Sequence, residues 1–161
     1  MDSRVLDIVR KKTHSLQERG FPGRCRSGSD PVVTEALERL GIGSNSSLGY
    51  LYQHVSGPFA SSGDESFPQL LDIVAEDRNI TSFSEKFWSD SGASHSLLAI
   101  SEIDTMVGLF YRVETDEVFE VELDLDWEEF LDGKLDARWA NSADFLADFF
   151  GTEASTVEPG E

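Results

Sequence analysis

The sequence contains a single cysteine, Cys25, so it cannot form an internal disulfide. A zinc knuckle needs several Cys or His ligands at fixed spacing, and one thiol cannot supply them. Nothing in the chain therefore requires an oxidising compartment. We expect the fold to be stabilised by packing alone.

Long apolar runs are also missing. No stretch of about 18 apolar residues occurs anywhere in the chain. Residues 1–13 lack the apolar run that a signal peptide requires. The sequence therefore predicts a cytoplasmic protein without a membrane segment.

Positive charge is scarce, with 13 Lys and Arg against 31 Asp and Glu and a net charge of -18. Such a chain repels nucleic acids and anionic membrane surfaces at long range, which argues against both as partners. The hydrophobic fraction of 39% over 161 residues is enough for one core, which excludes a wholly disordered chain.

The few basic residues are concentrated at the start of the chain, where residues 1–26 hold seven basic and three acidic side chains. Apolar residues at helical spacing between positions 5 and 16, followed by Gly20, Pro22 and Gly23, predict a basic leading helix and hinge over residues 1–29. We assign this segment no function. A globular domain is expected over residues 30–151, and a disordered acidic tail over 152–161.

Two helices are predicted at the start of the globular domain. Asp30 can cap the first, Pro31 suits its first turn, and Gly41 is a natural stop. Leu48 and the apolar residues that follow it at helical spacing predict the second helix, which ends before Gly57.

The periodicity then changes to that of strands. A buried run at 97–100 and a segment rich in strand formers at 107–113 are followed by near-strict alternation over 118–126. Phe119, Val121, Leu123 and Leu125 are expected on one face. Short helices are predicted over 128–135 and from a cap at Ser142. The expected fold is α+β, a single mainly antiparallel sheet flanked by helices.

This order of segments resembles the SUKH superfamily over roughly residues 33–150. The residues that carry the resemblance are the helix end 35–41, the segment 48–57 with Tyr52, the run 97–100, the hairpin strands 108–111 and 117–121, and the segment 139–146. The resemblance implies a SUKH-like domain. Bacterial proteins of this kind are typically immunity proteins that neutralise secreted toxins, many of them nucleases, and fungal relatives regulate cell-wall synthesis and signalling.

An acidic segment follows the predicted hairpin turn. Ten of the nineteen residues from 114 to 132 are Asp or Glu, and none is Lys or Arg, so we expect no local relief of their repulsion. The segment is either a solvated face or a docking surface for a basic partner. The candidate partner-binding residues are Glu120, Glu122, Asp124, Asp126, Trp127, Glu128 and Glu129, with Trp127 either an interface anchor or a core residue.

Catalytic and metal-binding patterns are weak. An EF-hand counted from Asp124 would place Glu129 at the sixth position, where Gly is needed, and Leu135 at the twelfth, where Glu is needed. The histidines are scattered, and no Gly-x-Ser-x-Gly motif occurs. The weakness of these patterns predicts a non-catalytic protein without cofactor or metal. The resemblance to SUKH proteins, together with the acidic segment, implies that it neutralises a basic toxin domain, expected to be a nuclease.

Two other functions stay open from the sequence. One is a regulatory or scaffolding interaction domain of the same fold, and the other is an acidic metal-dependent enzyme. The edge of the predicted hairpin also allows pairing with a second copy of the chain, so a homodimer stays open as well.

Overall fold

The computed structural model describes residues 1–151. Within that range the elements follow in this order: α1 (Ser3–Glu18), a 3₁₀ turn (Pro22–Arg24), α2 (Pro31–Leu40), α3 (Ser47–His54), α4 (Ile80–Ser91), β1 (Leu97–Ala99), β2 (Val107–Arg112), β3 (Glu117–Glu122), α5 (Trp127–Leu131) and α6 (Ser142–Phe150). The α+β fold with one antiparallel sheet is thereby confirmed. The predicted tail over 152–161 lies outside the described residues.

The caps of α2 are those that the sequence predicts. The Asp30 carboxylate accepts a hydrogen bond from the Val32 amide at 3.0 Å, and Gly41 ends the helix with a φ of 81°. At α6 the prediction is wrong by one residue. Asn141 caps this helix by accepting from the Asp144 amide at 2.8 Å, and Ser142 is its first residue.

The three strands are ordered β1-β2-β3, and both pairings are antiparallel. In the hairpin of β2 and β3, Val107 pairs with Glu122 and Arg112 pairs with Glu117. The predicted alternation beyond Glu122 is wrong, because the Glu122 carbonyl accepts from the Asp126 amide at 2.7 Å and turns the chain towards α5. Leu125 is consequently 72% exposed instead of facing inward.

Apolar side chains cover both faces of the sheet. On one face Leu109, Tyr111 and Val118 join the main core, to which α1, α2, α3 and α6 contribute. The other face carries a second cluster built from these residues: Leu97, Ala99, Phe110, Phe119 and Val121 of the strands, with Phe87 of α4 and Phe130 of α5. One of the two expectations for the acidic segment was a sheet face open to solvent. That expectation is wrong, because apolar clusters cover both faces of the sheet.

The basic N-terminal segment packs into the main core. Val5, Ile8 and Val9 of α1 are buried there. Beyond α1, the Arg26 guanidinium donates to the Asp72 carboxylate at 2.9 Å, and both side chains are at most 10% exposed. Residues 1–29 thus contribute apolar and ionic contacts to the rest of the described chain.

Candidate partner-binding site

A groove of about 490 Å³ lies between α4, the second face of the sheet and the turn that precedes α5. Its apolar lining comes from distant parts of the chain: Phe83 and Phe87 of α4, Ile103, Phe110, Leu123 and Trp127. We call these six residues the Trp127 groove. A cleft of this size with mostly apolar walls is typical of a binding site.

Trp127 is half-buried because one side of its indole belongs to the second apolar cluster. Its ring centroid lies 5.6 Å from that of Phe87 and 6.0 Å from those of Phe110 and Phe130. Phe130 is 1% exposed and holds the short helix α5 against the sheet. Trp127 is therefore a core residue and a groove residue at once.

The rim of the Trp127 groove exposes apolar side chains. Ile103 is 48% exposed, and the neighbouring Met106 is 51% exposed. Both belong to the connection between β1 and β2, where the amides and carbonyls of Asp104 and Val107 exchange two hydrogen bonds of 2.9 Å. Thr105 and Met106, at the centre of this turn, have positive φ values of 53° and 63°.

Sequence reasoning missed this turn for a physical reason. A tight hairpin turn with two positive φ angles normally has Asn-Gly or Asp-Gly at its centre, because those residues adopt the left-handed region easily. Thr105 and Met106 are poor residues for that conformation. The pairing of Val107 with Glu122 and the hydrogen bond from the Leu123 amide to the Met106 carbonyl, at 2.8 Å, hold them there.

Five exposed carboxylates flank the groove residues Leu123 and Trp127 in the chain, at the end of β3, in the turn before α5, in α5 itself and just after it. They are Glu122, Asp124, Glu128, Glu129 and Asp132. We call them the acidic border. Leu123 and Trp127 lie between its members in the chain, so apolar and anionic groups alternate along this edge. Exposed like charges at this spacing repel by a few tenths of a kcal/mol per pair, about the scale of other surface ion interactions.

Two of the predicted partner-binding carboxylates have structural contacts instead. Glu120 accepts from Arg138 at 2.6 Å, and Asp126 accepts from the Glu122 amide at 3.1 Å. The expectation that no cation relieves the acidic segment is therefore wrong. Arg138 lies outside that segment in the chain, but the fold brings it to Glu120 and to Glu65.

Arg138 connects the two carboxylates electrostatically. Its Nη1 atom lies 2.9 Å from Glu65 Oε2, and this pairing with the guanidinium lowers the pKa of Glu65. Glu65, and to a lesser extent Glu120, raise the pKa of Arg138 in turn. Arg138 also lies over the rings of Phe67 and Trp139, so this corner is anchored to the main core.

Asp116 also belongs to the predicted acidic segment, but its carboxylate accepts hydrogen bonds from side-chain and backbone groups within the fold. Its carboxylate accepts from the Tyr111 hydroxyl at 2.7 Å and from the Ser142 hydroxyl and amide at 2.8 and 3.0 Å. Burial and the Asp116 carboxylate raise the pKa of Tyr111. Asp116 therefore joins the hairpin to the start of α6 and is unavailable to a partner.

The structure thus divides the seven sequence-predicted site residues by environment. Glu122, Asp124, Glu128 and Glu129 are exposed and belong to the acidic border, Trp127 lines the groove, Asp126 is partly buried, and Glu120 is paired with Arg138. Sequence reasoning missed Phe83 and Ile103 as groove residues. No local signal could have found them, because they reach Trp127 only through tertiary packing.

Two absences hold for residues 1–151, the part of the chain that the structure describes. No group of three or more His, Cys, Asp or Glu side chains in this range is arranged to hold a metal ion. No helix in the same range is both long enough and apolar enough to cross a membrane. Comparisons of the chain with protein-family models, curated proteins and solved structures give no match.

Proposed function

We propose that this chain is a non-catalytic immunity protein that acts in the cytoplasm, where it binds and neutralises a basic toxin domain of the nuclease class. The partner occupies the Trp127 groove and contacts the acidic border. The observation that carries the proposal is an apolar groove whose residues Leu123 and Trp127 are flanked in the chain by five exposed carboxylates. The resemblance to SUKH domains supports the same function.

Charge complementarity selects the partner. A nuclease gathers cationic side chains around its cleft to hold a polyanionic substrate, and an anionic protein surface competes for the same cleft. Opposite surface charges also accelerate encounter, up to ~10⁸–10⁹ M⁻¹s⁻¹ at low salt. Fast capture suits a protein that must neutralise an enzyme before it acts on cellular nucleic acid.

The Trp127 groove would supply the binding affinity that charge alone does not. Surface ion pairs contribute little net affinity, whereas apolar side chains buried at the centre of an interface contribute most of it. An apolar side chain of the partner, surrounded by Lys or Arg, would fill the groove beside Trp127 and Ile103. The acidic border would then form the polar rim of the interface.

Titration calorimetry with the toxin domain encoded next to this chain tests the proposal. We compare the wild type with the triple variant Glu122→Gln, Asp124→Asn, Glu128→Gln. A matched control changes three exposed carboxylates elsewhere: Glu38→Gln, Asp64→Asn and Glu85→Gln. Both variants change the net charge equally, so only the location of the charges differs.

We expect the border variant to lose about tenfold or more in affinity and most of the salt dependence, since a factor of ten corresponds to about 1.4 kcal/mol. The control variant should bind within about twofold of the wild type. Equal losses in both variants, or full affinity in the border variant, would show that this edge is not the binding site.

A further inference from the structure

A second cavity, of about 350 Å³, shares no lining residue with the Trp127 groove. It lies between α1, the Pro22–Arg24 turn and the chain around residues 58–62. Three cationic side chains line it: Lys12 of α1, Arg19 directly after that helix, and Arg24. In a chain with a net charge of -18, three cations around one cavity are an unusual local concentration of positive charge.

These cations have no carboxylate partner within residues 1–151. The Lys12 ammonium lies 4.6 Å from the centre of the Phe150 ring. Arg24 donates from Nη2 to the Ser56 carbonyl at 2.9 Å and to the Pro58 carbonyl at 3.2 Å, and these two bonds leave its Nε and Nη1 donors unused. The positive charge of the cavity is therefore not neutralised by the described part of the fold.

The local potential opposes the charge of the whole chain. Burial lowers the pKa of Lys12, and the charges of Arg24 and Arg19 lower it further. An acidic protein would ordinarily favour the protonated lysine. Since charges beyond about 8 Å are largely screened at physiological salt, a small anion inside the cavity would interact mainly with these three cations.

Hydrogen-bonding groups on a fixed frame complete the cavity. Ser61 and Ser62 contribute to its wall. The Ser62 amide donates to the Phe149 carbonyl at 2.9 Å, and the Ser56 amide donates to the Arg24 carbonyl at 2.8 Å. The Ser61 hydroxyl accepts from the Phe67 amide at 3.1 Å, and the Ser62 hydroxyl donates to the Phe150 carbonyl at 3.3 Å. Both hydroxyls are thus positioned before any ligand arrives, which reduces the entropy lost on binding.

We propose that this cavity binds a small anion with a diphosphate group, a property beyond the proposed function. Guanidinium and ammonium groups are the usual protein ligands of phosphate oxygens, and two phosphoryl groups match three cations better than one does. The cavity is larger than an inorganic diphosphate requires. Leu16, Pro58 and Phe59 provide apolar wall for an organic substituent.

Calorimetry with inorganic pyrophosphate, adenosine diphosphate and adenosine tests the site without any protein partner. The full chain is used, together with a variant in which Glu153, Glu158 and Glu161 are changed to Gln, which tests whether these carboxylates affect diphosphate binding. We expect one-to-one binding of a diphosphate with a dissociation constant below about 1 mM, and none of adenosine. If adenosine diphosphate binds more tightly than pyrophosphate, the ligand of the cavity is a nucleotide. If pyrophosphate binds more tightly, the ligand is an inorganic diphosphate.

The double variant Lys12→Met, Arg19→Gln should lose about tenfold or more in diphosphate affinity. Methionine keeps the apolar stem over Phe150, and the matched control Lys134→Met, Arg39→Gln removes the same two charges elsewhere. Amide shifts of the wild type on pyrophosphate addition should centre on Ser61 and Ser62, whether or not the variant folds. Three results would refute the proposed site. They are a lack of diphosphate saturation below about 10 mM in the wild type and the Glu-to-Gln variant, an equal loss of affinity in the control variant, and amide shifts centred on other residues.

Discussion

Replacing Asp116 by Ala should destabilise the protein strongly, although the residue belongs to a segment that looks like a charged surface. The change removes a charged acceptor from the Tyr111 hydroxyl and from the amide and hydroxyl of Ser142. Ser142 is fully buried and Tyr111 is 1% exposed, so these donors cannot all turn to water. Hydrogen bonds to charged groups contribute about 1.5–3 kcal/mol each, and they are not additive.

We expect Asp116→Ala to lose about 3–4 kcal/mol of unfolding free energy, measured by urea titration, with a fall in Tm of about 6–16 °C for a chain of this size. Asp116→Asn keeps one acceptor oxygen and tolerates the positive φ of 66° at this position, so about 1–2 kcal/mol is expected.

The control for this prediction is Asp124→Ala in the acidic border. That carboxylate is exposed, so its removal should change stability by at most about 0.5 kcal/mol. If Asp116→Ala cost less than about 1 kcal/mol, or no more than Asp124→Ala, the argument that Asp116 joins the hairpin to α6 would be refuted.

Two ion pairs give further predictions. Arg26→Met should lose about 3–5 kcal/mol in urea unfolding, because it leaves the Asp72 carboxylate buried without a cation, and adding Asp72→Asn should recover part of that loss. Arg138→Gln should return the pKa of Glu65 towards its ordinary 4.5 in an NMR titration. Because the folded-state pKa of Glu65 is lowered, its pairing stabilises the wild type above about pH 4.5. This contribution is lost as the pH falls through the folded-state value, and it should stay below about 1 kcal/mol because both side chains are partly exposed. An unchanged Glu65 titration in Arg138→Gln, or additive losses in the Arg26 and Asp72 variants, would contradict these assignments.

Predictions from the sequence succeeded where the signal was local. Asp30, Pro31 and Gly41 mark the ends of α2 because capping groups act within one turn of the helix. The alternation at the start of β3 predicted its pairing with β2 for the same reason, since a strand buries every second side chain within a few residues. The pattern failed after Glu122, where a hydrogen-bonded turn replaced the extended chain without any change in alternation.

The candidate site was predicted only in part. The acidic border was visible because charge is a property of composition, and its members follow one another in the chain. The roles of Glu120 and Asp116 were not visible, because their partners Arg138 and Ser142 lie 18 and 26 residues away. The sequence does not distinguish an exposed carboxylate from one that accepts hydrogen bonds within the fold, because the donors of those bonds are distant in the chain.

Composition by itself determined the net charge of this protein. Short-range spacing determined most of its helices and strands, and through them the class of fold, because each element depends mainly on residues within one or two turns. Folding alone decided which charges stay exposed, which apolar side chains meet at the Trp127 groove, and which cations surround the second cavity. The reason is that these features require contact between segments far apart in the chain. Loop closure and packing bring such segments together, and the local periodicity of the sequence predicts neither of them.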